Sequence, residues 1–390
     1  MPLPVDLYLM TLSGLVKARS DGKGSGEILH KTLDPDEVRE VVSDPLNPRR
    51  LYAATFTDIY VSEDDGETWQ FRPAGGLIYR EICALAAHPT KEGELYVGTA
   101  PPAVFRSEDA GMSFTELVGI KDLPDYDKWT FPPPPHLPRV RRIGLDARRP
   151  DEVVIGIEEG GVARSHDRGE TWEDISGPVS ENTFGMPNPK SVRPGYRPGI
   201  EEEGVVYRDV HEFVFDPTDA KRIYATTGRG TYRTDDAGNY WRMLEYGISS
   251  KTRYAMPIAI DCTRPERLYV GFASGGGPTA WKGYRPARTG LYWTSRYSRD
   301  TSDEDGGAGS VLLRSTDGGD TWEPLTHGLP ERHAYMICGI QVDPNDPESV
   351  YAAYTDGSVY HSKDAGESWN QILQGVDKLV GLRIKASGGN

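Results

Sequence analysis

The sequence predicts an all-β chain folded as a seven-bladed β-propeller of four-stranded antiparallel blades, and three observations carry that reading. The eight-residue pattern Ser/Thr-x-Asp-x-Gly-x-x-aromatic recurs six times. A strand, a tight turn and a second strand precede every copy, with the turn residue seven positions ahead of the second strand each time. The two ends of the chain supply the strands of one more such unit. Self-similarity at a fixed period is the signature of a repeat architecture, because each unit buries its apolar face only against its neighbours.

Taken in chain order, residues 6–32 read as the last three strands of a blade, with a degraded copy of the box around Ser20. Its LYLMT run at Leu7 matches LYAAT at Leu51. Six complete units follow. Their boxes run Ser62-Asp64-Gly66-Trp69, Ser107-Asp109-Gly111-Phe114, Ser165-Asp167-Gly169-Trp172, Thr234-Asp236-Gly238-Trp241, Ser315-Asp317-Gly319-Trp322 and Ser362-Asp364-Gly366-Trp369. Asp bonds nearby backbone amides, Gly takes a positive φ, and the aromatic packs under the next strand. Asp44, His88, Asp146, Asp216, Asp261 and Asp343 mark the turns that lead into Leu51, Leu95, Val153, Ile223, Leu268 and Val350. Each unit therefore reads strand, turn, strand, loop, strand, box turn, strand. The run KLVGLRIKA at 378–386 is the missing first strand of the opening blade, and pairing the two ends removes open sheet edges. The whole chain, 1–390, reads as one domain.

These boxes resemble the Asp-box, or BNR, repeats of sialidase-like β-propellers, and the resemblance covers nearly the whole chain. It implies the fold. Its members range over sialidases, xyloglucan-active glycoside hydrolases with two propellers facing a cleft, sortilin-type receptors and photosystem II assembly factors, so it implies no single activity. Seven units and the lack of an Arg-Ile-Pro motif separate this chain from the sialidases.

Three connections are much longer than their counterparts, at about 119–139, 174–207 and 273–310. In an up-and-down blade all three fall on the face opposite the boxes. That face, over the mouth of a central channel, is the expected binding site. Aligned strand starts put Arg80, Glu81, Arg139, Arg208, Asp209, Arg253 and Tyr254 around it, with Asp58, Glu158, Glu159, Arg229 and Asp356 from loops. Glu81, Asp209, His211 and His333 are the candidate catalytic groups, the carboxylates and imidazoles that acid–base chemistry needs. Arg80, Trp129, Arg139, Arg208, Arg229, Arg253 and Tyr254 are the candidate substrate-binding residues, since arginine holds anions bidentately. Asp209 and His211 stand two apart on one strand and share a side of it. With His333 and His136, or with Glu81, they are candidate ligands for a divalent transition metal such as Zn²⁺, Mn²⁺ or Fe²⁺, although no compact metal motif occurs. The box aspartates read as structural. Cys83 and Cys338 read as core thiols, and Pro132–Pro135 as a stiff brace.

Composition narrows the function. With 44 Lys+Arg against 59 Asp+Glu the net charge is -15, which argues against nucleic-acid or anionic-membrane partners. No apolar run approaches the ~20 residues of a membrane span. The start lacks a basic signal-peptide region, and three scattered cysteines suit a reducing compartment, so a cytoplasmic location is expected. The expected function is an enzyme, a hydrolase or lyase acting on a small polar or anionic, sugar-like substrate. The alternative is a non-catalytic propeller that binds a ligand or a protein partner.

Overall fold

The computed structural model describes residues 4–131, 137–178, 204–245, 247, 254–273 and 308–386. Its strands form seven four-stranded antiparallel sheets, the blades of a β-propeller. The chain divides into two compact units: Met1–Val38 with Gly228–Gly230 and Leu244–Asn390, and Arg39–Thr227 with Thr231–Met243.

In the first unit, the strand Leu379–Ala386 pairs with Val5–Thr11, which continues to Gly14–Ser20 and Gly26–Thr32. Both chain ends thus share one blade, as the repeat requires. The degraded box closes there in its own way. Oδ1 of Asp21 accepts the N–H groups of Lys23, Gly24 and Ser25, and Oγ of Ser20 accepts that of Gly22. Two further blades start at Tyr254–Ile260 and Ile337–Asp343.

In the second unit, four blades begin with Val38–Asp44, Glu81–Ala87, Arg139–Asp146 and Val210–Phe215. Glycines on second strands let the next blade approach. A Cβ on Gly98 would stand 2.7 Å from Val140, and one on Gly156 would stand 3.0 Å from Val210. The hydrophobic core therefore runs between sheets, as in the cluster of Ala84, Tyr96, Val140, Ile155 and Leu117.

The bonds from the backbone N–H groups of the box recur at every copy. At the third, Oγ of Ser165 accepts the N–H of Gly169 (2.7 Å) and donates to Oδ1 of Asp167 (2.7 Å). Asp167 in turn accepts the N–H of Thr171 (2.8 Å) and its hydroxyl (2.6 Å). Burial would raise the Asp167 pKa, but these bonds from Thr171 and Ser165 outweigh it and hold the carboxyl at about 2. Two successive residues take positive φ, Arg168 (61°) and Gly169 (94°). The pattern in sequence points only to the second. The turns ahead of the second strands are closed by Asp44, Asp146, Asp216, Asp261 and Asp343, each accepting the backbone N–H two residues on. His88 substitutes its Nδ1 for the carboxylate and accepts from Thr90 (3.1 Å), leaving Nε2 to donate to the carbonyl of Pro150 (2.8 Å).

A β-bulge recurs near the start of the first strands. The pairing skips Cys83, Arg141 and His211 in the second unit, and Met256–Pro257, Cys338 and Val380 in the first. A bulge bends its strand and re-aims the side chain of the extra residue. The insertion expected at 119–139 carries two 3-10 turns, Val118–Asp122 and Tyr126–Lys128. The other two insertions lie largely outside the described residues, as do Pro132–Pro135.

Two outcomes test this frame. Ser165→Ala leaves the buried Gly169 N–H without its acceptor and should cost about 1–3 kcal/mol in urea unfolding; an unchanged midpoint would show that the box hydrogen bonds do not support the blade. Burial lowers the pKa of His361, stacked 4.5 Å from Tyr351 and 2.9 Å from Oγ of Ser349, to about 4. The folded state therefore binds fewer protons than the unfolded state below pH ~6.5. About 3 kcal/mol of stability, present above that pH, should fade as the pH falls towards 4. His361→Gln should flatten this part of the stability–pH curve, and an identical curve would contradict the assignment.

Candidate functional site

In the second unit, strand starts and inter-strand loops gather at the end opposite the boxes. Leu95 pairs with Ala87 and Ser107 at the box end, while Ala100 pairs with Glu81 at the other. Glu81 and Arg139 open their strands, and Asp209 stands one residue before Val210, bridged to Glu158.

Glu158 is the hub. Nε of Arg139 lies 2.6 Å from its Oε2, and Nη1 of Arg141 donates to its Oε1 at 2.6 Å. The bulge at Arg141 lets a residue two places after Arg139 reach the same carboxylate. Arg139 also stands 3.7 Å from Glu81 and 4.8 Å from the centre of the Phe131 ring. Arg39, stacked 4.2 Å over Phe56, lies 3.4 Å from Glu81 and donates to the carbonyl of Ile82 (3.0 Å). All five charged groups of this chain are buried. Burial pushes the Glu81 pKa up, with Arg39 and Arg139 pulling against it. Burial also pushes the Cys83 thiol, at the neighbouring bulge, up to about 12, so that it stays a neutral thiol.

Asp209 extends the hub towards solvent. Its Oδ2 lies 3.3 Å from Nε2 of the buried His211, and its Oδ1 has no hydrogen-bond partner. Its side chain is 16% exposed. Arg208 turns inward: Nη1 donates to the carbonyl of Gly160 (3.1 Å) and to Oδ2 of Asp174 (2.9 Å). Arg139 and Arg208, expected to bind substrate, are thus engaged by partners inside the protein. Arg80 is exposed and Arg229 half-buried. Trp129 is 9% exposed, against Tyr126 and over Gly160, and its indole N–H has no hydrogen-bond partner. Arg253 and His136 lie outside the described residues.

His333 and Tyr254 belong to the first unit. Nδ1 of His333 accepts the N–H of Tyr335 (3.1 Å), and Nε2 faces Oδ2 of Asp356 at 3.7 Å. The ring stacks on Tyr354 at 4.3 Å. Burial lowers its pKa against the pull of Asp356. Tyr254 opens its strand and is half-buried.

Glu158, Asp209 and His211 bring three donor atoms within 4.8 Å of one another. They fit a divalent metal poorly. Both oxygens of Glu158 already face guanidinium groups at 2.6 Å. At an effective dielectric constant of 20, like unit charges 4 Å apart cost about 4 kcal/mol, and a dication doubles that for each arginine. The arrangement suits a carboxylate held by its neighbours for proton transfer or for hydrogen bonding to hydroxyl groups. Sequence reasoning placed Glu158 and Glu81 on this face but missed Arg141, which pairs with Glu158, and Arg39, which pairs with Glu81. The one signal for Arg141, a second arginine in Arg139-x-Arg141, means nothing until the bulge is known.

No protein-family model matches the chain. The oligoxyloglucan-reducing end-specific xyloglucanase of Emericella nidulans is 25% identical over 420 residues, an alignment covering 90% of this chain and 48% of that protein. The chain spans about half the length of that relative, or less for the other curated relatives it matches. Among solved structures, an ancestral GH74 enzyme superposes with a TM-score of 0.61 at 17% identity, over 89% of this chain and 40% of that one. YCF48 from Cyanidioschyzon merolae superposes with a TM-score of 0.53 at 14% identity, over 86% of this chain and 85% of that one. The structural likenesses establish the shared fold.

Adding Zn²⁺ or Mn²⁺ in large excess should leave the thermal midpoint of the purified protein within about 1 °C. One tightly bound metal at micromolar affinity, present in large excess, would instead raise it by several degrees. Such a rise, abolished in Asp209→Asn, would overturn the charge argument.

Proposed function

We propose that the chain is a glycoside hydrolase acting on a sugar-like, polyhydroxylated substrate at the Asp209 end of the second unit. The observation that carries this is the carboxylate of Asp209, partly exposed, with its buried Oδ1 left without a hydrogen-bond partner, on a residue that faces His211 and is bridged to Glu158. The sequence similarity to xyloglucanases along 90% of the chain supports the reaction class. Glycoside hydrolysis needs two carboxyl groups in different protonation states. The carboxylate of Asp209 takes the proton of the attacking water as the glycosidic C–O bond breaks. Glu81, whose pKa burial raises, supplies a proton to the departing oxygen.

A second reading rests on the same hub. Glu81, Glu158, Arg39, Arg139 and Arg141 are buried and bound to one another, which also suits a rigid frame for a non-catalytic glycan-binding face.

Release of reducing ends from xyloglucan oligosaccharides and other β-glucans separates the two. Asp209→Asn should lower kcat at least about 100-fold, with a thermal midpoint within a few degrees of the parent. Glycan binding by calorimetry without turnover in the parent would favour the second reading. Turnover that Asp209→Asn leaves intact would overturn the first.

A further inference from the structure

The sequence marks Arg208 as a residue that holds substrate, yet its side chain is 4% exposed and points away from solvent. Its contacts form a closed set around the turn that joins the strands Arg149–Glu158 and Gly161–Ser165. The guanidinium donates to the carbonyl of Gly160, while the N–H groups of Gly160 (3.1 Å) and Gly161 (3.0 Å) both donate back to the carbonyl of Arg208. The same Nη1 also donates to Oδ2 of Asp174, whose other oxygen accepts the N–H of Ser176. Oγ of Ser176 in turn accepts the N–H of Val162 (2.9 Å), just past the turn. Space is tight: a Cβ on Gly161, which sits at φ 87°, would stand 2.3 Å from Oγ of Ser176 and 3.2 Å from Arg208 Nη1. The turn is therefore clamped onto the backbone of residue 208 from three sides. Glu158 begins the same turn and bridges Asp209, the next residue along.

From this geometry we infer that Arg208 is a positioning residue, which fixes the backbone of Asp209 against the Glu158–Gly161 turn and so sets where Oδ1 points. The inference rests on the glycoside hydrolase reading of Asp209. Arg208 touches no substrate; it acts through Asp209 by locking the turn to the strand that starts at Val210. Lysine is a weaker substitute, because its ammonium rides on a flexible stem and lacks the pre-organised plane that holds Nη1 on the Gly160 carbonyl and the Asp174 carboxylate together. Misplacing a reacting group by about 1 Å costs on the order of 100-fold in rate. Loss of the clamp is therefore expected in kcat and not in KM.

A double-mutant cycle tests this on an aryl β-glycoside of the sugar that the parent protein cleaves. Arg208→Ala should lower kcat about 10- to 100-fold with KM within about twofold, and added guanidinium should restore part of the loss. In the Asp209→Asn background the same substitution should change kcat by less than about twofold, because the group it positions is already gone. Should Arg208→Ala lack a cooperative unfolding transition, Arg208→Lys and Asp174→Asn carry the same cycle. A raised KM with unchanged kcat would restore Arg208 to substrate binding and overturn the inference. Equal losses in both backgrounds would show a structural role only. An Asp209→Asn variant as active as the parent would instead sink the hydrolase reading itself, so the two failures are distinguishable.

Discussion

The second unit's candidate site depends on one buried carboxylate. Glu158 accepts a hydrogen bond from Arg141, forms an ion pair with Arg139, each at 2.6 Å, and bridges the backbone of Asp209. A charge in that position is tolerable only while its partners stay, because removing one member of a buried pair costs about 3–5 kcal/mol. The same condition works outward from Glu158. Arg139 must remain between Glu158 and Glu81, and Arg39 must remain on Glu81. The guanidiniums lie over Phe131 and Phe56, faces that tolerate a weakly hydrated cation. Removing any one of these leaves an uncompensated charge inside the protein.

That rigidity has a chemical consequence. Arginines at a propeller strand end invite an anion-binding reading, but Arg139 and Arg208 have their charge met by Glu158, Glu81 and Asp174. What is left without a hydrogen-bond partner is a buried carboxylate oxygen, Oδ1 of Asp209, on a side chain that is itself 16% exposed. An oxygen of this kind, backed by an imidazole and a second carboxylate, accepts a proton or a hydroxyl hydrogen bond. The two guanidiniums that make Glu158 a good neighbour for Asp209 also make it a poor ligand for a dication. Proton-transfer chemistry and metal binding thus compete for the same three side chains, and the arginines decide between them.

Most of the frame was legible in the sequence because the repeat is local. Ser165, Asp167 and Gly169 close their turn with bonds inside eight residues, so the pattern alone states the structure. The degraded box at Ser20 and the joining of Val5–Thr11 to Leu379–Ala386 followed from register. His88 was recognisable as an aspartate substitute because its position in the repeat was fixed. The site was less legible, since its contacts cross blades. Asp209 and His211 were found as a pair, although the reason offered, simple alternation along a strand, omits the bulge at His211. Arg139 and Arg208 were placed at the right depth with the wrong partners. Nothing in a linear pattern says that Arg141 reaches Glu158, or that Arg208 folds back on Gly160, because a bulge and a turn carbonyl leave no residue signature.

The most direct measurement is a crystal structure with a xyloglucan-derived oligosaccharide or a basic sugar analogue bound. The account predicts a sugar hydroxyl or ring nitrogen within hydrogen-bonding distance of the carboxylate of Asp209, with Arg139, Arg141 and Glu158 still joined and Arg208 still on Gly160. A ligand held instead by the guanidinium of Arg139 or Arg208, with the Glu158 pairs broken, would contradict it.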